Sequence, residues 1–242
     1  MSVSPGPDGI PMAAYSSLKT TYTKGRQVRA VYTDDAVLVY QAFNRDIAEY
    51  ALEHQVFGGD HYLPGRMTWV KTEFLWMMYR SDWARSKNQE RILGIWVERG
   101  AFERMLEAAV VSKFDPLCFD SEEEYAAVRE GEKETLRAGG GIVRLQWDPS
   151  HAPNGAKVMD RRAIQLGLKG YGDALTNPDA GVVKGIVDFT PMVEASRMLV
   201  DDHDALLIPV ETDFPVPPSA LRPLGMIDPP SDDDSHADED TT

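Results

Sequence analysis

The densest concentration of residues able to bind an anionic ligand lies between Arg66 and Arg91. This segment, RMTWVKTEFLWMMYRSDWARSKNQER, carries six basic side chains against three acidic ones, together with three of the five tryptophans of the chain. Arginine and lysine can hold phosphate groups, and an aromatic ring that stacks on a base contributes roughly 1–3 kcal/mol. The segment is therefore a candidate site for a nucleotide or for single-stranded nucleic acid.

Two interpretations of this segment stay open at the level of sequence. Phe74, Trp76 and Met77 are apolar residues on one predicted helix, a pattern that is typical of packing against a hydrophobic core. The better candidates for ligand contacts are the polar members of the segment, namely Arg66, Thr68, Lys71, Tyr79 and Arg80. We expect the basic ones among them to line one concave site.

A second concentration of polar residues lies in RLQWDPSH, residues 144–151. Alternate side chains of a strand point to opposite faces, so Gln146 and Asp148 would share one face and apolar residues the other. The polar face could provide an acceptor for a ligand hydroxyl. Alternatively, it is a strand edge on which Asp148 caps the turn before Pro149.

Other chemistries lack their residue patterns. The five histidines are scattered, without an H-x-x-x-H pair or a cysteine partner, so we expect no metal site. The chain contains neither a G-x-G-x-x-G nor a P-loop pattern, and no G-x-S-x-G elbow. Cys118 has no basic neighbour in FDPLCFD and is a poor nucleophile.

The elements that must position these residues alternate loosely between strands and helices. We predict strands over 27–32, 36–42, 91–97 and 142–147, and a helix over 122–137. Asn44, Thr72 and Ser121 are the expected helix N-caps, and the glutamates after Ser121 complete a capping box. The pattern predicts an α+β fold, a single compact domain with a mixed or mainly antiparallel sheet flanked by helices.

Charge is distributed unevenly along the chain. The net charge is −14, and seven acidic residues lie without any lysine or arginine between Asp228 and Thr242. We predict a disordered N-terminus over residues 1–15, a single domain over 16–221 and a disordered acidic tail over 222–242. The tail is either solvated or covers a basic cleft of the same chain, and both end segments are expected to be dispensable.

The location of the protein follows from features that the sequence lacks. No apolar stretch approaches the ~18 residues of a membrane span, and the N-terminus has no charged region followed by an apolar run. Together with a single cysteine, this predicts a cytoplasmic protein that is neither exported nor anchored to a membrane. The sequence specifies no oligomeric state.

Four runs of the chain resemble the domain-of-unknown-function family four-two-nine-one. They are VYQAFNRDIAEYA, RMTWVKTEFLWMMYRSDWA, RLQWDP and RAIQLGL, and the resemblance covers most of residues 26–215. The part from Arg66 to Trp83 is its specific motif. This resemblance places the chain in a family but implies no particular activity.

The run LVYQAFNRDIAEYALEHQVF also resembles the first strand and helix of ADP-ribosyltransferases that act on nucleic acid. In that family the first strand contacts the nicotinamide and ribose of NAD, and a late strand provides an acidic or amide side chain to the ribose. The resemblance implies NAD as cofactor. It places Tyr40 and Gln41 in the first-strand motif and Thr68 or Lys71 near the second motif.

The same resemblance implies catalytic roles for Gln41, Gln146 and Asp148. The chain departs from the family where Gln41 replaces the usual His or Arg, where Phe43 replaces Thr or Ser, and where no glutamate occupies 142–147. A carboxylate of Asp148 can replace that glutamate only if it points inward. The alternative is a non-catalytic nucleotide- or RNA-binding module that uses residues 66–91.

Strand alternation allows only one of Tyr40 and Gln41 to point directly into a cleft shared with the basic segment. We expect Gln41 to do so, because an amide can both donate to and accept from a ribose or a base. Gln146 is expected as its partner across the cleft, with Asp148 at the rim.

Overall fold

A computed structural model of the protein describes residues 2–226, apart from the side chain of Asp173. The strands are β1 (Ser4–Pro5), β2 (Pro11–Ala14), β3 (Gly25–Arg26), β4 (Arg29–Ala30), β5 (Ala36–Phe43), β6 (Thr68–Lys71), β7 (Arg91–Glu98), β8 (Ala109–Val111), β9 (Ile142–His151), β10 (Lys157–Lys169), β11 (Val183–Asp188), β12 (Leu207–Pro209) and β13 (Thr212–Asp213). The α-helices are α1 (Tyr15–Leu18), α2 (Arg45–His54), α3 (Phe74–Ser81), α4 (Arg99–Glu107), α5 (Glu122–Arg137), α6 (Gly172–Thr176), α7 (Thr190–Ser196) and α8 (Pro218–Leu224). None of the helices within this range has the length and apolarity needed to cross a membrane.

The main sheet has the strand order β11-β7-β5-β6-β10-β9-β8, and β3 pairs with β10 outside this path. Neighbouring strands are antiparallel except that β8 lies parallel to β9 and β3 parallel to β10. Two small sheets, β1-β2-β12 and β13-β4, lie beside it. This mixed sheet with flanking helices confirms the predicted single α+β domain.

Strands β5 and β6 are joined at one point. Within residues 2–226 their register consists of Tyr40 opposite Lys71. By contrast, β5 pairs with β7 along its whole length, and β6 pairs with β10 from Thr68 to Lys71. The main sheet is therefore open between residues 41–43 of β5 and 68–70 of β6.

Two hydrophobic cores lie on opposite faces of the main sheet. Val39 and Phe43 of β5 belong to the first core, with residues of α2, α4 and α8. Leu38 and Tyr40 belong to the second core, with residues of α3 and α7. The alternation of side chains along β5 produces this division, so each face of the strand is buried against its own helices.

Short-range signals in the sequence set several element boundaries as predicted. The Asn44 side chain accepts a hydrogen bond from the Ile47 N–H at 3.0 Å and begins α2. The Ser121 hydroxyl accepts from the Glu124 N–H at 3.1 Å and begins α5, whose bounds match the prediction. Each cap satisfies an N–H group that has no partner within its own helix.

Other boundaries depend on distant contacts, and their predictions were wrong. Thr72 does not cap α3; the helix begins after Glu73, and the Glu211 carboxylate accepts from the Phe74 N–H at 2.6 Å. Strand β9 continues through Pro149 to His151, because β10 shifts its register opposite that proline and no ladder N–H is required there. The run AFERMLEAAVVSKF, residues 101–114, predicts a single helix, but the chain forms α4 and then β8, which pairs with β9.

The folded domain extends beyond the predicted limits of residues 16–221 at both ends. Strand β2 pairs with β1 and β12, and Ile10, Met12 and Tyr15 are buried in the second core. The apolar residues of this segment bury enough surface to order it despite its glycines and prolines. At the other end, α8 continues past residue 221 to the buried Leu224. Residues 227–242 of the predicted acidic tail lie outside the described residues.

Replacing Met12 by alanine is expected to lower the free energy of unfolding by about 2–5 kcal/mol, because a buried methionine leaves a cavity. Met12 is 2% exposed, whereas Val3, at 54%, provides a control on the same segment. We expect Val3→Ala to change the free energy by less than about 0.5 kcal/mol. Urea denaturation followed by tryptophan fluorescence measures both values. Equal stability of the two variants would contradict the packing of the N-terminal segment.

Candidate functional site

A cavity of about 760 Å³ lies where β5 and β6 separate. Its volume falls within the range of about 300–1,000 Å³ that is typical of small-molecule sites. Six of the nine residues predicted from the sequence line it, namely Gln41, Arg66, Thr68, Lys71, Arg80 and Gln146. The opening of the sheet thus brings together residues that lie more than one hundred positions apart.

Amide side chains form much of the polar lining. Gln41 Nε2 donates to the Thr68 hydroxyl across the gap between β5 and β6. On β10, Gln165 Nε2 donates to Gln146 Oε1 at 2.8 Å and to Asp148 Oδ2 at 2.7 Å. The sequence predicted Gln41 as the partner of Gln146, and this was wrong. The partner across the strands is Gln165. Asp148 lies behind Gln165, outside the lining of this cavity.

Tyr40 and Tyr79 do not line the cavity. Tyr40 is fully buried in the second core, where the rings of Phe74 and Phe189 pack edge-on at 5.6 and 5.4 Å. Its neighbour Gln41 faces the cavity, in agreement with the alternation along β5. Tyr79 is 45% exposed and stacks on His151, with the ring centres 3.6 Å apart, outside the cavity lining.

The cavity carries positive charge that no neighbouring carboxylate neutralises. Arg66, Lys71 and Arg80 line it, and the lining contains no Asp or Glu. Among the side chains that the structure describes, no carboxylate oxygen lies within 4.0 Å of these three head groups. By contrast, the partly buried Arg91 is paired with Asp188 at 2.7 Å. In a chain of net charge −14, this arrangement attracts an anion to the cavity.

Lys71 lies on β6, the middle strand of the path β11-β7-β5-β6-β10-β9-β8. Its side chain is buried, and its Nζ donates to the Trp69 carbonyl at 3.1 Å and lies 5.0 Å from the centre of the Trp76 ring. Burial, together with the charge of Arg80, lowers the pKa of Lys71 to about 7, although the Asp148 carboxylate acts in the opposite direction. A substantial fraction of this amine is thus neutral near physiological pH.

Two tryptophans give the cavity flat apolar walls. Trp69 and Trp76 both belong to the lining. Gly167 of β10 lies directly opposite Trp69, and a Cβ at that position would approach the indole ring to 2.8 Å. The absence of a side chain at Gly167 therefore lets the Trp69 ring lie against the sheet.

A strained loop after α3 supplies two further lining residues. Residues 82–84 have φ values of 49°, 51° and 62°, a run that side chains disfavour. Arg197 holds this run by donating to the carbonyls of residues 83 and 84 at 2.9 and 3.1 Å. The loop returns past the cavity, so Asn88 and Gln89 become part of its lining.

Buried carboxyl groups support the start of α3. Burial raises the pKa of Glu73 to about 7, and burial together with the charge of Glu73 raises the pKa of Glu211 well above its usual range. The Arg161 guanidinium lies 3.6 Å from Glu73, and the Ser150 hydroxyl donates to the same carboxyl at 3.2 Å. Because both carboxyl groups lie in the interior, near neutrality the pair retains at least one proton.

Sequence reasoning missed several lining residues. Gln165 had a usable signal, since it is a single amide within the apolar run AIQLGL, but a run this short is compatible with both a strand and a helix. His61, Tyr62 and the two loop residues after α3 follow no periodic pattern, and only the packing of their loops brings them to the cavity. Within residues 2–226, no three His, Cys, Asp or Glu side chains group as metal ligands do.

Comparison with protein families identifies one match. The profile of a family described as Domain of unknown function (DUF4291) matches residues 27–214, a range that contains every lining residue of the cavity. A search of curated proteins gives no match. The match supports the first resemblance seen in the sequence, whereas the resemblance to ADP-ribosyltransferases gains no support from it.

Glu73→Gln is expected to flatten the dependence of stability on pH. The pKa of Glu73 is about 7 in the folded protein against 4.5 as its ordinary value, so the folded state binds more protons between these values. This contribution is fully present below about pH 4.5 and is lost as the pH rises through about 7. The free energy of unfolding of the variant minus that of wild type should be more favourable at pH 8 than at pH 4.5, by on the order of 1–3 kcal/mol.

Urea denaturation at pH 4.5, 6, 7 and 8 tests this expectation. Glu53→Gln is the matched control, because Glu53 lies exposed on α2. If the free energy of unfolding changes with pH in the same way for wild type and for Glu73→Gln, this would contradict the raised pKa of Glu73.

Proposed function

The chain belongs to the family described as domain of unknown function (DUF4291), and on that premise we propose that it binds a nucleotide, with NAD as the leading candidate. The proposed site is the cavity between β5 and β6. One observation carries the proposal, namely that Arg66, Lys71 and Arg80 line a single cavity and have no carboxylate partner among the described side chains.

The phosphate groups of the nucleotide would meet the exposed arginines. Arg66 and Arg80 are exposed, so their guanidinium groups can adjust to a ligand. Guanidinium and phosphate form paired, charge-assisted hydrogen bonds, which are stronger than hydrogen bonds between neutral groups. A diphosphate also suits the positive charge of the lining better than a neutral ligand does.

The base and the ribose would meet the aromatic and amide residues. The rings of Trp69 and Trp76 offer surfaces for stacking. Gln41, Gln146 and Gln165 carry amide groups that both donate and accept, which suits ribose hydroxyls and the edges of a base. A free nucleotide is favoured over a long nucleic acid, because a chain of net charge −14 repels an extended polyanion.

A second candidate function is ADP-ribosyl transfer from NAD. The observation that favours it is the Asp148 carboxylate, which lies 2.7 Å from Gln165 Nε2 and thus one side chain behind the cavity. Burial raises the pKa of Asp148. If Gln165 moves aside, the carboxylate can stabilise positive charge at the ribose as the bond to nicotinamide breaks. Without this step the protein is a nucleotide-binding module.

Arg66→Gln and Arg80→Gln are each expected to weaken nucleotide binding by about 10- to 100-fold, since a hydrogen bond to a charged group contributes about 1.5–3 kcal/mol. Isothermal titration with NAD, ATP and AMP measures the affinities. Arg85→Gln is the control, because Arg85 is an exposed arginine that does not line the cavity. Unchanged affinity in both cavity variants, or no binding by wild type, would contradict the proposal.

The transferase candidate predicts that Gln41→Ala and Asp148→Asn lower NAD turnover by about 100-fold or more, with a melting temperature close to that of wild type. Release of nicotinamide and transfer of labelled ADP-ribose to RNA, DNA or protein are the measurements. Arg85→Gln again serves as the control. A wild-type protein that binds NAD and neither cleaves nor transfers it would leave the nucleotide-binding module as the function.

A further inference from the structure

Lys71 differs from the other lysines of the described chain in its burial. Its side chain is 5% exposed, whereas the remaining lysines within residues 2–226 are exposed. Those exposed lysines are Lys19, Lys24, Lys87, Lys113, Lys133, Lys157, Lys169 and Lys184. A lysine is seldom fully buried unless it is paired with a carboxylate, so the position of Lys71 requires a reason.

A structural ion pair does not provide that reason. No described carboxylate oxygen lies within 4.0 Å of Lys71 Nζ, and the Nζ donates to the Trp69 carbonyl at 3.1 Å. The indole face of Trp76 lies 5.0 Å away, and the positively charged Arg80 lines the same cavity. The ring face attracts a cation, whereas burial and the second cation favour the uncharged, nucleophilic amine, and these two lower the pKa of Lys71.

The amine also has access to a ligand. Lys71 lines the cavity of about 760 Å³ and lies on β6, held by hydrogen bonding to β10, so its position is fixed by the sheet. Arg66 and Arg80 in the same lining can hold a carboxylate or phosphate of that ligand. Burial and Arg80 lower the pKa of Lys71, and Asp148 is the one acidic group that opposes them.

We propose that Lys71 is a nucleophilic amine that forms an imine with a small carbonyl compound bearing a carboxylate or a phosphate. This activity goes beyond nucleotide binding and does not depend on it. The anionic group of the compound lies against Arg66 and Arg80, which places its carbonyl carbon at Lys71 Nζ.

The reaction conserves atoms and electrons without a further reactant. The lone pair of neutral Nζ attacks the carbonyl carbon, and the electrons of the C–O double bond move to oxygen, which takes up a proton. The resulting carbinolamine loses its hydroxyl group and the second Nζ hydrogen as water, and a C–N double bond forms. Nothing is oxidised or reduced, and the imine hydrolyses by the same steps in reverse.

Reductive trapping tests the proposal. The full-length protein is incubated at pH 7 with glyoxylate and sodium cyanoborohydride, which delivers hydride to the imine carbon and leaves a stable secondary amine on the lysine. Intact mass and peptide mapping then locate the product. We expect Lys71 to be modified at least about tenfold faster than Lys87, because a pKa near 7 gives it a far larger neutral fraction than an ordinary lysine has. Acetaldehyde, which lacks the anionic group, should react more slowly than glyoxylate at Lys71.

Variants separate a nucleophile from a buried structural lysine. Lys71→Arg and Lys71→Met should both lose the selective adduct, whereas Lys87→Arg should keep it. Arg80→Met should slow trapping at Lys71 at pH 7, because removal of the neighbouring cation raises the pKa of Lys71. Circular dichroism confirms that each variant is folded.

The rate of trapping at Lys71 in wild type should rise with a midpoint near pH 7, and at the exposed lysines it should keep rising above pH 9. Modification of Lys71 no faster than of Lys87, or no modification of Lys71, overturns the proposal. Protection of Lys71 by NAD bears separately on the proposed nucleotide site. Absence of such protection leaves the imine proposal standing and counts against nucleotide binding.

Discussion

The single register pair between Tyr40 and Lys71 is the constraint on which the candidate site depends. Along the edge that faces away from β6, strand β5 pairs with β7. Along the edge that faces away from β5, strand β6 pairs with β10. Each strand is thus held within its own half of the sheet, and the halves separate beyond the shared pair. Side chains that belong to opposite faces of the sheet can then reach the same cavity, which a continuous ladder would prevent.

The buried carboxyl groups and the cavity cations differ in whether a group of opposite charge lies beside them. Buried carboxyls beneath α3 lie among arginines and retain a proton, so they add little negative charge near the cavity. The cavity cations lack such partners, and Lys71 reduces the cost of its burial through a lower pKa. An acidic protein thereby contains a cavity lined by positively charged groups.

The sequence identified the basic and aromatic segment 66–91, and the structure resolves the two interpretations that it left open. Both apply, because the segment forms β6 of the main sheet and α3, which packs in the second core. Phe74 is buried in the second core, whereas Arg66 and Lys71 line the cavity. Trp76 serves both purposes, since it is buried from solvent and lines the cavity, and residue type alone gives no means of choosing between these roles.

The sequence by itself determined the features that act over a few residues: the cap at Asn44, the bounds of α5 and the choice of Gln41 over Tyr40. Such features follow from local hydrogen bonds and strand alternation. Only the tertiary structure decided the pairing of Gln146 with Gln165, the packing of β2 against β12 and the opening beside β6. These depend on registers between strands far apart in the chain, and a register is fixed by the assembled cores on both faces rather than by any short stretch of residues.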